Sequence, residues 1–170
     1  MKLNHLLDLD ARLSARMRVA ERPGLLRTVA AVLAHSGDSW FWWPALALVW
    51  WLGNDFWKPR ALTMLAATAA LAAIVMTIKF TIRRRRPEGE WGAMYRVTDP
   101  HSFPSGHAAR AILLAVLAVG MGPWWLALIL CIWAPLVVLA RAAMGVHYVS
   151  DVVAGAGLGL IVGVITLVIR

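Results

Sequence analysis

Little of this 170-residue chain is charged: Asp, Glu, Lys and Arg make up 15% of it, against about 25% in soluble globular domains. That scarcity, set beside 61% hydrophobic residues and a mean hydropathy of +0.68, excludes an ordinary soluble domain. Acidic residues are scarcest, 9 against 17 Lys and Arg, for a formal net charge of +8. No nucleic-acid partner is expected from this excess. The basic residues end apolar runs, where anionic headgroups, a phosphate substrate or the positive-inside bias accounts for them. The single cysteine, Cys131, lies in an apolar stretch. No intrachain disulfide can form, and cysteine usage names no redox compartment. Residues 1–20 have no continuous apolar core and carry Asp8, Asp10, Arg12, Arg16 and Arg18, so no cleavable signal peptide is expected. No Asp/Glu cluster suited to Mg²⁺ accompanies the polar motifs described below, so neither a metal nor another cofactor is expected.

What is abundant is long apolar sequence. Residues 3–20 read as a basic amphipathic helix, with Leu6, Leu9, Leu13 and Met17 at helical spacing, lying on the bilayer surface. A disordered basic tail is the alternative. Arg22-Pro23-Gly24 ends the pattern, and residues 25–36 form a short helix that Arg27 and His35 make a poor span. Spans are then expected over residues 39–53, 61–82, 104–121, 124–143 and 148–169. About five transmembrane helices result, with residues 25–36 available as a partial or re-entrant sixth. Seven of the tryptophans (Trp40, Trp42, Trp43, Trp57, Trp91, Trp124 and Trp125) flank these runs and are expected to anchor at the interface. Gly155, Gly159 and Gly163 form a small-residue stripe suited to close helix packing. The stripe serves a monomer or a dimer equally, so no oligomeric state is read. The expected fold is all-α: one domain, residues 1–170, with an interfacial segment over 1–36 and a polytopic membrane bundle over 39–169.

If the spans alternate, four separate pieces of sequence meet on one membrane face. Lys79 and Arg86 close the second span, Pro104-Ser105-Gly106-His107 opens the third, Arg141 closes the fourth, and His147 with Asp151 opens the fifth. Each alone has a plainer reading: Arg83, Arg84 and Arg85 as a topology signal, Pro-Ser-Gly as a turn and N-cap, His147 and Asp151 as a local hydrogen bond. Ionisable residues at membrane depth, however, usually line a site, and here four groups of them converge. The set resembles the type 2 phosphatidic acid phosphatase family, which includes bacterial undecaprenyl-diphosphate phosphatases and is related to vanadium haloperoxidases. Its three motifs, Lys-x6-Arg-Pro, Pro-Ser-Gly-His and Ser-Arg-x5-His-x3-Asp, occur in order at residues 79–151, with one departure: Ala140 stands where the family has serine. Weaker local packing or hydrogen bonding, not lost activity, is the expected consequence.

The residue types suit phosphoryl chemistry. Lys79, Arg86 and Arg141 supply fixed cations, and the two guanidinium forks match phosphate oxygens. The backbone N–H groups of Ser105 and Gly106 at a helix N-terminus add donors. The resemblance implies that His147 is the nucleophile, forming a phosphohistidine, that Asp151 fixes its tautomer, and that His107 protonates the leaving oxygen and then activates water. It implies a metal-independent phosphatase in the bacterial cytoplasmic (inner) membrane, acting on a lipid phosphate such as phosphatidic acid, phosphatidylglycerophosphate or a polyprenyl diphosphate. Phosphotransfer to another lipid and non-catalytic anion binding are the rivals. The 83–103 loop, with Trp91, Met94 and Tyr95, is either a headgroup lid or a passive connector. The membrane face of the site stays open: the arginine count favours the cytoplasm, but phosphate binding explains several of those arginines.

Overall fold

Each apolar run becomes a helix. The structure, a computed structural model, describes residues 2–91, 93, 95 and 99–170. Among the described residues seven helices are delimited in order: α1 (Lys2–Met17), α2 (Leu25–His35), α3 (Ser39–Leu52), α4 (Trp57–Ile82), α5 (Gly106–Met121), α6 (Trp124–Ala143) and α7 (Val149–Ile169). The described residues contain no strand, only an isolated bridge between Arg85 and His101. The all-α expectation holds among the described residues. Three helices, α4, α6 and α7, are long and apolar enough to cross a membrane. The 14 residues of α3 and 16 of α5 reach about 21 and 24 Å at 1.5 Å per residue, short of a hydrocarbon core of about 30 Å. The 11-residue α2 is shorter still and packs against α6.

The helix ends follow local chemistry. Gly122 caps α5 and Pro123 leads into α6, since proline cannot continue the preceding helix but suits the start of the next. At the end of α4, Arg83 adopts a left-handed conformation (φ 53°) that stops the helix. The chain then runs extended, so residues two apart share a side: Arg84 and Arg86 turn inward while Arg83 and Arg85 stay exposed.

α5 is the central helix, packed most extensively on α7 and α6. Leu113, Leu114 and Leu117 are completely buried, and Leu71 of α4 and Val137 of α6 close around them. The glycine stripe of α7 faces α5: a Cβ on Gly155 would lie 2.4 Å from the Ser105 carbonyl oxygen, and one on Gly159 would lie 2.1 Å from that of Ala109. The stripe therefore serves packing within the chain. On the outer surface Ile129, Ile132, Val153, Ile161 and Val168 are exposed, as a lipid-facing surface requires. Most of the expected interfacial tryptophans are outward, led by Trp40 and Trp124. Two turn inward instead. Trp42 packs on Trp133 and donates to the Ser36 carbonyl at 2.8 Å, and Trp91 lies against the cluster around Ala140, Met144 and Val146 beneath the Arg27 guanidinium.

Candidate active site

The polar residues expected to converge do so at one end of the bundle. His147 precedes α7 and is 1% exposed, Asp151 and Arg141 are fully buried, and Lys79 and Arg86 are each 3% exposed. A cavity of about 300 Å³ reaches Lys79, Gly106, His107 and His147, walled on one side by Leu71, Ala72, Val75 and Met76 of α4.

The two ring nitrogens of His147 meet different groups. Nε2 lies 3.2 Å from Arg86 Nη1. An arginine can only donate, so Nε2 presents its lone pair and Nδ1 carries the proton. Nδ1 faces Asp151 Oδ2 at 3.6 Å, beyond hydrogen-bond distance. The expected contact is thus an alignment in this state, not a formed hydrogen bond. Burial, followed by the charges of Arg141, Arg86 and Lys79, holds the His147 pKa well below the usual imidazole value. The ring is therefore neutral, and its Nε2 lone pair accepts from Arg86.

Of the three cations, Arg141 alone has whole nitrogens without a hydrogen-bond partner among the described residues. Its Nη1 donates to the Tyr95 hydroxyl at 3.0 Å, while Nε and Nη2 are buried with no hydrogen-bond partner among the described residues. Lys79 Nζ and Arg86 Nη2 both bind Asp99 Oδ2, the latter at 2.7 Å, and Arg86 also donates to the Asp99 and Val146 carbonyls. The Ser105 amide, expected to serve phosphate, instead donates to the Asp151 carbonyl at 3.0 Å, tying the start of α5 to α7. Gly106, the first residue of α5, lines the cavity, so its amide is the one placed to bind an anion.

His107 hydrogen-bonds through Nε2 to Asp38 Oδ1. Asp38 sits in the α2–α3 connection and also accepts from Trp40 Nε1 at 2.9 Å and contacts His35 Nδ1 at 3.1 Å. Burial works against its ionisation, but the hydrogen bonds from His107, Trp40 and His35 hold the carboxyl below the usual carboxylate range. Beside it Arg110, buried in α5, donates to the Gly37 carbonyl and to Ser39 Oγ. A second opening of about 500 Å³, lined by Asp38, Trp40, Tyr95 and Asp99, meets the first at His107 and Arg110.

Sequence reasoning missed Asp38, Asp99, Arg110 and Arg84. Arg110 carried a usable signal, an ionisable residue inside an apolar helix. The two aspartates lie in connections, where an acid is unremarkable. Arg84, read as a topology signal, donates to Asp151 Oδ1 at 2.8 Å and to Asp10 Oδ2 at 2.6 Å, and so is part of the site. Ala140, in the serine's place, is 3% exposed in an apolar cluster with Ala30, Ala34 and Met144. In the 83–103 loop, Tyr95 touches Arg141 and Trp91 packs away from the cavity, while Met94 lies outside the described residues.

Residues 60–170 match the PAP2 superfamily, a stretch holding every motif residue. The chain is 33% identical over 162 residues to a decaprenylphosphoryl-5-phosphoribose phosphatase of Mycobacterium tuberculosis, covering 93% of this chain and 88% of that one. It is 30% identical over 140 residues to an undecaprenyl-diphosphatase of Sulfolobus acidocaldarius, covering 79% and 66%. Its fold is similar to the crystal structure of a transmembrane PAP2 type phosphatidylglycerolphosphate phosphatase from Bacillus subtilis, with a TM-score of 0.77, 26% identity and coverage of 96% and 85%. With the family matched over the whole site and the relatives phosphatases, the chain belongs to the PAP2 superfamily and is a membrane-embedded phosphoric ester hydrolase.

Proposed function

We propose that this enzyme is a metal-independent lipid phosphatase that works through a phosphohistidine on His147. One observation carries the reading: a buried, neutral imidazole whose Nε2 lone pair is presented beside Arg86, with the unused donors of Arg141 nearby. In the first step Nε2 attacks phosphorus in line, the P–O bond to the leaving alcohol breaks, and His107 gives that oxygen a proton. In the second, His107 takes a proton from water, the resulting hydroxide attacks phosphorus, and the P–N bond breaks to release phosphate and restore His147. Asp151 balances the positive charge that the ring acquires. Asp38, hydrogen-bonded to His107, supports the protonated form of the acid. Lys79, Arg86, Arg141 and the Gly106 amide stabilise charge on the equatorial oxygens. These fixed donors meet the phosphate charge without a bridging metal ion.

The lipid reading draws on the relatives, two of which are named for a polyprenyl-linked substrate, and on the apolar α4 wall of the cavity. Leu71, Ala72, Val75 and Met76 border the same space as Lys79 and His147, and Met76 is 46% exposed. A prenyl or acyl chain can follow that wall while its phosphate reaches the histidines. In this reading α3 and α5 also cross the membrane, making five spans, with local thinning accommodating their length.

The test is phosphate release by detergent-purified protein, with EDTA present, from polyprenyl-phosphosugar monophosphates, polyprenyl diphosphate, phosphatidylglycerophosphate and phosphatidic acid. Wild-type release that persists in EDTA and is abolished in His147→Ala is expected. Substantial hydrolysis by His147→Ala, or loss on chelation, would refute the mechanism.

A further inference from the structure

Asp151 is fully buried, and a buried carboxylate needs partners. Its Oδ2 accepts from the Tyr148 amide at 2.9 Å and faces His147 Nδ1. Its Oδ1 is held at 2.8 Å by Arg84 Nη1, which also donates to Ser150 Oγ at 2.6 Å. The Arg84 guanidinium lies 3.9 Å above the Tyr148 ring. An arginine that only marked topology would be solvated, as Arg83 and Arg85 on either side are. Arg84 has a fixed place instead.

The other half of the guanidinium points to α1. Arg84 Nη2 donates to Asp10 Oδ2 at 2.6 Å, the same oxygen accepts from Ser150 Oγ at 2.5 Å, and Asp10 Oδ1 accepts from the Ser150 amide at 3.0 Å. One turn along α1, Ser14 Oγ accepts from the Val149 amide at 2.9 Å. The first amides of a helix have no partner within it, and here α1 supplies them. The sequence spacing Asp10 to Ser14 places both side chains on one face of α1, toward α7. Leu6, Leu9 and Leu13 remain exposed on that helix, as a segment lying on a bilayer requires.

We propose that Arg84 is a positioning residue for the His147–Asp151 pair, and that Asp10, by gripping Arg84 and the start of α7, makes the surface helix α1 part of the catalytic apparatus. The proposal rests on His147 being the nucleophile. Arg84 fixes Asp151 Oδ1 so that Oδ2 stays aimed at His147 Nδ1, and Asp10 keeps Arg84 from swinging toward solvent. Arg84 itself does not reach the phosphate cavity, so its loss falls on the chemical step and not on binding of the anion.

Steady-state kinetics and vanadate inhibition of full-length protein in lipid nanodiscs test this. Outer partners of metal-ligating histidines typically matter by about 10- to 100-fold, and a similar factor is expected for a nucleophilic one. Arg84→Ala is expected to lower kcat by that factor while KM and the vanadate inhibition constant stay within about twofold, and Arg84→Lys to recover part of the loss. Asp10→Ala should lower kcat by about threefold to tenfold, and this effect should vanish in the Arg84→Ala background, the signature of one residue acting through another. Wild-type kcat in Arg84→Ala, a parallel loss of vanadate binding, or additive effects of the two substitutions overturns the proposal. Assaying His147→Ala alongside separates the two levels. An active His147→Ala protein removes the nucleophile and the clamp with it, whereas an inactive one beside a fully active Arg84→Ala protein removes the clamp alone.

Discussion

Arg141 offers the sharpest quantitative test of the phosphate site. It is fully buried, and after its bond to Tyr95 two of its nitrogens have no partner among the described residues. A bound phosphate or vanadate would receive two charge-assisted hydrogen bonds from them. At about 1.5–3 kcal/mol each, Arg141→Ala should cost about 3–6 kcal/mol of anion affinity, or about 10²- to 10⁴-fold. Thermal unfolding with orthovanadate reads this directly. Vanadate at a hundred times its Kd stabilises the wild type by about 2.7 kcal/mol, raising Tm by about 5–11 °C at 2–4 °C per kcal/mol for a chain of this size. At the same concentration an affinity loss of about 10²-fold leaves Arg141→Ala a shift below about 2 °C. Arg141→Lys restores a point charge without the fork and should fall between. An Arg141→Ala protein that keeps the wild-type vanadate shift would refute the assignment.

Two further outcomes follow from packing and protonation. Gly159→Ala places a methyl 2.1 Å from a backbone oxygen of α5, and overpacking of about 1–3 kcal/mol should lower Tm by about 2–12 °C. Gly157→Ala, with nothing within 4 Å of the added Cβ, should not lower Tm, and equal behaviour of the two would discredit the α5–α7 seam. His147 is neutral in the fold and titrates well below its unfolded value, so the unfolded chain binds the extra proton first. Its contribution to stability is complete above about pH 6.5 and falls by up to about 1.4 kcal/mol per unit as pH drops below that. Thermal unfolding from pH 7.5 to 5 should show this slope, and a His147→Gln protein with an unchanged slope would contradict it.

The parts of the site that were legible in the sequence were those where charge interrupts an apolar pattern. Lys79, Arg141, His147 and Asp151 each stand at the end of a run in which a charged residue needs a reason, and the resemblance of their motifs to a phosphatase family supplied the reason. What was hidden was the counter-charge. Asp38, Asp99 and Asp10 lie on connections or on a surface helix, where hydropathy gives them no contrast. Their pairings with His107, with Lys79 and Arg86, and with Arg84 join residues 69, 20, 13 and 74 apart. The Arg83–Arg86 run was legible only as a block, because the left-handed residue that sorts its members into inward and outward is a backbone event with no glycine to announce it. Hydropathy delimits α3 and α5 closely, but it leaves open whether their 14 and 16 residues reach across, because that depends on helix length against local bilayer thickness.

The pairing of Lys79 and Arg86 with Asp99 also shapes how the pocket takes its substrate. Two buried cations side by side repel each other and are costly without an anion, and Asp99 supplies one. In the proposed mechanism a phosphate would therefore exchange with a carboxylate at these two residues, and only the difference between the two sets of bonds would contribute to affinity. No carboxylate is bonded to Arg141 among the described residues, so in the same mechanism its unpartnered donors would give up no ion pair to an incoming anion. The Asp99 side chain is 35% exposed at the mouth, where it regains solvent on leaving, whereas Arg141 has no solvent to return to. A phosphate that first engages Arg141 and the Gly106 amide can then displace Asp99 and collect Lys79 and Arg86 with little rearrangement of either. Affinity should accordingly be concentrated in Arg141, and the Asp99-bound pair should act mainly as charge develops on the equatorial oxygens.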